Sequence, residues 1–419
     1  MLGVSPFDRT NGAARAARSM CETIARHGFE VRAVAPTACV NVEPHTHLDA
    51  IRDEQGRLPS DFTHTPPEAP PKSSPKSPPV SLLQSSTAAP VMRFSRRGVH
   101  FSLLDTGEHT HTSWAAKFAE PFTELLTREL DAHPPDVVLT FGGSPAERRW
   151  RAMVRGRGAA VVFSLQNHGY YDRRAFEDVD HVLSCSDFIA AEYERRIGLR
   201  STPIPPPFLP EDVVAPRRVP KYATYINPEL EKGVLFFVRV VAAVGERRPD
   251  IPFMVVESRA REGTLALAAR EAGVDPDRLR NVSISPGATH PRMLFALTRT
   301  LLVPSLFAEP LGSVAIEALA NGAPPLVFDR GGLAQACNGA GFVFGASPRT
   351  VDSWGRDATE QDVAPWAETI IRLFDDETRY RECSRRALDA SRAFTPEATA
   401  PALAEVFSSV RRGGVVLNG

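Results

Sequence analysis

Two carboxylates and a hydroxyl set the chemistry of one stretch, LLVPSLFAEPLGSVAIEALANGAPPLVFD, at 301–329. Glu309 and Glu317 are separated by seven residues, and Ser313 lies between them. Glu317 sits among Val314, Ala315, Ile316, Ala318, Leu319 and Ala320, a helical run with almost no polar face, which reads as buried all round. A carboxylate there needs partners, because unpaired burial costs several kcal/mol on an order-of-magnitude scale. Four residues after Ser313, it shares a face with the first helical turn. Glu309 approaches the same end from the preceding loop. A helix N-terminus supplies free N–H groups and partial positive charge. A ligand with a phosphate and several hydroxyls, such as a sugar nucleotide, satisfies both: the phosphate at the helix end and the hydroxyls on the carboxylates. The alternative is a helix whose one Glu forms a salt bridge.

The elements around these residues follow from pattern. Residues 301–303 are a short apolar run that reads as a buried parallel strand. The helix begins near Ser313 and ends at Asn321-Gly322, a pair suited to a left-handed cap. Residues 325–328 give the next strand. Strand, loop, helix and strand make a ligand site at the C-terminal ends of parallel strands.

The 419 residues suffice for two sizeable cores. Lys plus Arg number 49 and Asp plus Glu 50, a net −1, which argues against a general nucleic-acid binder. Five scattered cysteines have no metal spacing and fit reduced thiols in a cytoplasmic protein. The opening MLGVSPFDRT lacks the apolar core of a signal peptide. The longest apolar run, 234–244, contains Arg239 and is too short to span a membrane; peripheral membrane contact stays open.

The setting AEPLGSVAIEALANGAPPLVFDRGG resembles the Glu-x7-Glu signature of retaining glycosyltransferase family 4. Pro-Leu-Gly after Glu309, Glu-Ala-Leu-Ala-Asn-Gly from Glu317 and Gly331-Gly332 beyond carry the likeness. It is clear over the C-terminal half and fainter over the N-terminal half. It implies an α/β fold with two facing Rossmann-like domains of parallel strands (GT-B type) and C-terminal helices crossing back to the first domain. The expected division is an acceptor-side domain at 1–208, a nucleotide-sugar donor domain at 209–390 and a returning helix at 391–419. The resemblance implies no cofactor and no bound metal. The partners it implies are a nucleotide-sugar donor and a sugar, lipid-linked or small-molecule acceptor.

In chain order, 1–5 is a very short first strand, so that either the native start lies upstream or the strand is clipped. Asn11-Gly12 matches in part the family's glycine-rich turn, where one glycine of the usual pair is missing; a plain strand–helix turn is the alternative. Residues 59–90 are Pro/Ser-rich and read as a disordered insertion. His109 and His111 bracket Thr110 in what reads as a polar loop. Arg148, Arg149, Arg151, Arg155 and Arg157 form a basic cluster, either a solvated helix face or a surface for an anionic acceptor or membrane. His168 follows the strand at 159–165, where the resemblance puts a histidine close to the transferred sugar. Ser186 is read as a helix N-cap, and 204–216 as a proline-stiffened linker.

In the second domain the family places an Arg and a Lys-Gly pair on the donor diphosphate. Lys232-Gly233 matches, and Asn227 holds the Arg position. Glu257 and Ser258 stand where glycine is common, and Gln335 where an acid is common. Gly287 falls where the nucleobase binds. The implied roles are Lys232 with the N–H groups of Leu311 and Gly312 on the diphosphate, Ser313 in the donor site, Glu317 on the ribose, and Glu309 and His168 on the sugar. Readings that keep the fold and change the chemistry are a sugar-nucleotide epimerase and a phosphorylase-like enzyme. A non-catalytic sugar-nucleotide-binding protein is the reading from another class.

Overall fold

The computed structural model describes residues 5–8, 11–39, 51–52, 57–65, 89–107, 109–110, 113–257, 263–286 and 291–412. The chain divides into two compact units. One comprises Met1–Ser184, Tyr193–Pro206 and Ala400–Gly419; the other comprises Cys185–Glu192 and Pro207–Thr399. Residues 391–399, expected to return to the first unit, therefore stay with the second.

The first unit contains helix α1 (Gly12–Arg26) and strands β1 (Val31–Pro36), β2 (Thr63–Thr65), β3 (Val91–Arg96) and β4 (Val99–Leu104). Helix α2 (Trp114–Ala132), β5 (Val137–Thr140), α3 (Pro145–Arg155), β6 (Ala160–Leu165), β7 (His181–Ser184), α4 (Asp187–Ile197), shared between the units, and β8 (Thr202–Pro203) follow. Its strands form two four-stranded sheets, β1-β4-β3-β2 and β5-β6-β7-β8. The strands of the second sheet and the β1–β4 pair are parallel. The hairpin β3–β4 turns at Arg97-Gly98, both left-handed with φ 49° and 82°, the backbone of a two-residue hairpin turn that follows the strand twist. The final helix, Pro396–Arg412, packs Leu403, Val406, Phe407 and Val410 against Met20, Ile24, Val162 and Leu183 of this unit.

The Pro/Ser-rich stretch is not uniformly outside the fold. Thr63–Thr65 pairs antiparallel with β3, and Phe62 packs against Phe94 with ring centroids 6.1 Å apart. Residues 66–88 lie outside the described residues, so the expectation of disorder there stays untested. Replacing 66–88 by a short Gly/Ser linker should leave the melting temperature within a few degrees, because loop closure changes slowly with length. Replacing 59–90 should lower it, since strand β2 and Phe62 go too. Calorimetry of both variants checks the contrast.

The second unit contains β9 (Tyr222–Ile226), α5 (Val234–Arg247), β10 (Phe253–Glu257), β11 (Val282–Pro286), β12 (Thr298–Val303), α6 (Ser313–Ala320), β13 (Pro325–Phe328), β14 (Phe342–Phe344), α7 (Glu360–Asp375) and α8 (Glu377–Ser391). The six strands form one parallel sheet in the order β11-β10-β9-β12-β13-β14. Renumbered from β9, this is 3-2-1-4-5-6, the doubly wound order of nucleotide-binding α/β domains. Helix α5 is apolar on nearly every face, and nine of its residues, from Val234 to Val244, are buried. Phe236 on it meets Phe328 of β13 and Trp366 of α7 at 4.6 and 5.3 Å between centroids. Such aromatic pairs contribute about 0.5–1.5 kcal/mol each beyond their buried area.

Candidate functional site

In a sheet of this order the chain reverses direction of winding between β9 and β12, and ligands bind beyond the C-terminal ends of those strands. The loops that leave these two strands carry Lys232 and Glu309. The Lys232 ammonium donates to Glu309 Oε1 at 2.5 Å, and Ser305 Oγ donates to the same oxygen at 2.7 Å. Glu309 is 8% exposed, so its charge is sustained by these two donors rather than by water.

Backbone contacts fix the pair. The N–H groups of Leu306 and Phe307 both donate to the Glu231 carbonyl, at 3.1 and 3.2 Å. Gly233 makes this possible: its φ is +82°, and a Cβ there would lie 1.9 Å from the Pro304 carbonyl oxygen. On the far side, Gly332 N–H donates to the Glu309 carbonyl at 2.7 Å. A Cβ on Gly331 would lie 2.2 Å from that same oxygen. The Lys-Gly and Gly-Gly pairs thus clamp the loop that presents Glu309. Arg330, which sequence reasoning passed over, adds a hydrogen bond from Nε to the Leu306 carbonyl at 3.1 Å.

Helix α6 starts where this loop ends. Gly312, at φ +93°, is its N-cap and supplies no side-chain acceptor. Among the described residues the N–H groups of Leu311, Gly312 and Ser313 have no protein acceptor. They are orphan donors of a helix end, suited to an anion. Glu317 is 5% exposed in the middle of α6, one turn from Ser313. Loop and helix therefore bring Lys232, Glu309, Leu311, Gly312 and Ser313 to one place, with Glu317 on the helix that starts there.

Other expected site residues stand differently. Asn227 ends β9 in a left-handed conformation, φ 67°, with its N–H on the Val256 carbonyl at 2.9 Å and its side-chain amide 3.3 Å from Glu229 Oε2. It shapes the turn and supplies no cation. Glu257 ends β10, and its Oε1 is shielded from solvent with no hydrogen-bond partner among the described residues. Gly287 and Ser258 lie outside the described residues. Gln335 accepts from Asp187 N–H at 2.9 Å, and Ser186 Oγ accepts from Ile189 N–H at 3.1 Å, so both cap α4.

In the first unit, His168 Nδ1 lies 2.9 Å from the Tyr171 hydroxyl. Gly12 opens α1 behind the N-cap Asn11, whose side chain accepts from Ala13 and Ala14 N–H. A Cβ on Gly12 would meet nothing within 4 Å, so packing within the chain does not require glycine there. The arginine cluster is an ion-paired face. Arg148, Arg149, Arg155 and Arg157 each meet an acid, Glu177, Glu120, Asp180 and Asp131, at 3.9, 2.8, 2.9 and 3.1 Å. Arg151 is fully buried and donates to the Gly142 and Ala175 carbonyls; burial depresses its pKa. This is the arrangement of a solvated, ion-paired helix face. Burial holds the Cys185 and Cys337 thiols up at about 12, so neither is a nucleophile near neutral pH. Among the described residues no three His, Cys, Asp or Glu side chains gather as a metal site. No described helix is long and apolar enough to cross a membrane.

No protein-family model matches the chain. Over 146 residues it is 32% identical to a 2-deoxystreptamine glucosyltransferase of Streptomyces kanamyceticus, a match covering 35% of this chain and 34% of that protein. Over 187 residues it is 32% identical to a D-inositol 3-phosphate glycosyltransferase of Corynebacterium glutamicum (strain R), covering 42% and 40%. The chain thus spans well under half the length of these relatives. Among solved structures, sucrose-phosphate synthase from Thermosynechococcus elongatus matches with a TM-score of 0.63, 16% identity and 98% of each chain covered. Anabaena HepE, solved with UDP and glucose, matches with a TM-score of 0.60 at 13% identity, covering 97% of this chain and 99% of that one. These likenesses establish the α/β fold with parallel sheets and Rossmann-like domains of GT-B type.

Proposed function

We propose that the chain is a retaining glycosyltransferase that moves a sugar from a nucleoside-diphosphate sugar to an acceptor hydroxyl without a bound divalent ion. The observation that carries this reading is the Lys232–Glu309 pair beside the N–H groups of Leu311, Gly312 and Ser313, which have no acceptor among the described residues. Here a cation and oriented dipoles face a carboxylate across one loop. In this reading the bond from the anomeric carbon to the diphosphate oxygen breaks, and its electron pair leaves on the diphosphate. Lys232 and the helix-end donors stabilise that growing charge. Glu309 accepts from sugar hydroxyls and opposes the positive charge developing at the anomeric carbon. The acceptor oxygen bonds to that carbon on the face the diphosphate leaves, and its proton passes to the departing phosphate oxygen. Glu317 holds the ribose hydroxyls. His168 is assigned to the sugar on its place in the sequence, and Asn227, Gly287 and Gly12 to the donor on the same ground. The glycosyltransferase names of the partly matching relatives and the ligands of the solved neighbours support this reading.

A binding protein without turnover is the second reading. It is favoured by Lys232 being already paired with Glu309 while Asn227 stands in place of a second cation. Incubation with UDP-, GDP-, ADP- and dTDP-sugars separates the two: a transferase releases nucleoside diphosphate with a suitable acceptor and retains the anomeric configuration. Binding with no release over a panel of acceptors would favour the second reading. Glu317→Ala should weaken nucleoside diphosphate binding by about 1–3 kcal/mol, as when a buried hydrogen-bond partner is removed. Calorimetry measures this directly, and equal affinity in a folded variant would take Glu317 out of the site.

A further inference from the structure

The two groups that hold Glu309 differ in kind. Its Oε1 accepts from the Lys232 ammonium at 2.5 Å and from the Ser305 hydroxyl at 2.7 Å. The ammonium ends a flexible four-carbon stem, and the Lys232 side chain is 26% exposed. Ser305 is 1% exposed, and its Oγ turns about a single bond from a backbone pinned on both sides. Before it, the Pro304 carbonyl lies so close to Gly233 that a Cβ there would come within 1.9 Å of its oxygen. After it, the Leu306 and Phe307 N–H groups donate to the Glu231 carbonyl, and Arg330 Nε donates to the Leu306 carbonyl at 3.1 Å. One partner of Glu309 can swing away, and the other is built into the loop.

The proposed transfer reaction, on which this inference rests, requires that difference. Lys232 pairs with Glu309 in this structure, yet the same ammonium is to meet the diphosphate when a donor binds. Glu309 is 8% exposed, and burial of a carboxylate that has lost its partners is strongly unfavourable. A hydroxyl fills the need. It carries no charge, so it steadies the carboxylate without cancelling the negative charge that opposes the cation-like anomeric centre. It has one proton to donate, and that proton keeps Oε1 toward the loop and Oε2 on the opposite side of the carboxylate.

We infer that Ser305 is the positioning residue of Glu309, holding the carboxylate toward the donor sugar once Lys232 has moved to the diphosphate. Ser305 touches neither sugar nor phosphate and acts through Glu309 alone.

Ser305→Ala and Ser305→Thr separate this role from packing. The readouts are kcat by release of nucleoside diphosphate, and calorimetry of UDP-, GDP-, ADP- and dTDP-glucose against the matching free diphosphates, which isolates the affinity gained from the sugar. In Ser305→Ala, kcat and the sugar's gain in affinity should each fall about tenfold or more, as for one lost hydrogen bond to a charged group, while the free diphosphate binds within about twofold of wild type. Ser305→Thr, which keeps the hydroxyl, should recover both. On a Glu309→Ala background Ser305→Ala should reduce the sugar's gain no further, since residues of one network do not add. If Ser305→Ala does not fold, Ser305→Cys, with a weak S–H donor of similar size, carries the same expectation. Wild-type kcat and sugar affinity in folded Ser305→Ala would overturn this inference alone. So would an equal loss for sugar nucleotide and free diphosphate, the mark of a displaced loop, or a loss in Ser305→Thr as large as in Ser305→Ala at wild-type melting temperature. A wild-type chain that transfers no sugar and binds sugar nucleotides no better than free diphosphates would instead sink the proposed function, and this assignment with it.

Discussion

Lys232→Ala should slow sugar transfer by roughly a hundredfold or more while changing KM far less, taking the ~3–4 kcal/mol lost when one preorganised electrostatic donor is removed. Negative charge on the leaving diphosphate grows as the glycosidic bond breaks, so a fixed ammonium is worth more in the transition state than in the bound donor. In the proposed function Asn227 stands where the resemblance puts a second cation, so the loss should not be shared; a smaller effect would point to another arginine, such as Arg239 or Arg259. The observed ion pair sharpens the expectation. In the resting chain Lys232 is engaged by Glu309, and Ser305 holds the same carboxylate oxygen. Glu309→Gln should therefore release the ammonium toward the diphosphate: nucleoside diphosphate binds more tightly while transfer collapses. Steady-state kinetics with calorimetry of the free nucleotide gives both numbers, and KM reads as affinity in the slow variants. Unchanged kcat with raised KM in Lys232→Ala would make the lysine a ground-state anchor and remove its role in bond breaking.

Gly233→Ala should abolish measurable nucleotide binding and destabilise the second unit. The left-handed φ alone costs a side chain about 1–2 kcal/mol. The new Cβ would also meet the Pro304 carbonyl oxygen at 1.9 Å and its carbon at 2.8 Å. That carbonyl is backbone, held by the bonds from Leu306 and Phe307 to Glu231, so relief requires the two loops to part and Lys232 to leave Glu309. A total near 3 kcal/mol lowers the melting point by about 6–12 °C for a domain of this size. Thermal unfolding followed with and without nucleoside diphosphate checks both effects. A variant with wild-type melting and affinity would show that the loops do not need this crossing.

The fold of the second unit was legible because its strands are short continuous apolar runs, the mark of a parallel sheet buried on both faces. The runs at 301–303 and 325–328 correspond to β12 and β13. Strands with mixed chemistry were not. Strand β3 alternates Val91, Arg93 and Ser95 with Met92 and Phe94, and β2 is three residues inside a Pro/Ser-rich context that hides its two β-branched threonines. Candidate site residues were named one at a time from motif positions, but their mutual contacts were beyond sequence. Lys232 and Glu309 are 77 residues apart, and only the order of strands across the sheet makes them neighbours. Gly233 and Gly331 were visible as motif letters. Their reasons, the carbonyls of Pro304 and Glu309, exist only once the loops cross. For the arginine cluster the sequence left a solvated helix face and a surface for an anionic partner both open; its acidic partners Glu177, Glu120, Asp180 and Asp131 come from other elements, so the pairing that makes it a solvated, ion-paired face was beyond the run itself.

Hydrogen exchange of the second unit, with and without saturating nucleoside-diphosphate sugar, tests the central claim most directly. The account predicts slowed exchange at Leu311, Gly312 and Ser313, whose N–H groups have no acceptor among the described residues, and across 229–233. It predicts that the effect weakens in Glu317→Ala and Lys232→Ala. Unchanged exchange at these amides under donor concentrations that raise the melting temperature, with protection appearing at other strand ends instead, would contradict it.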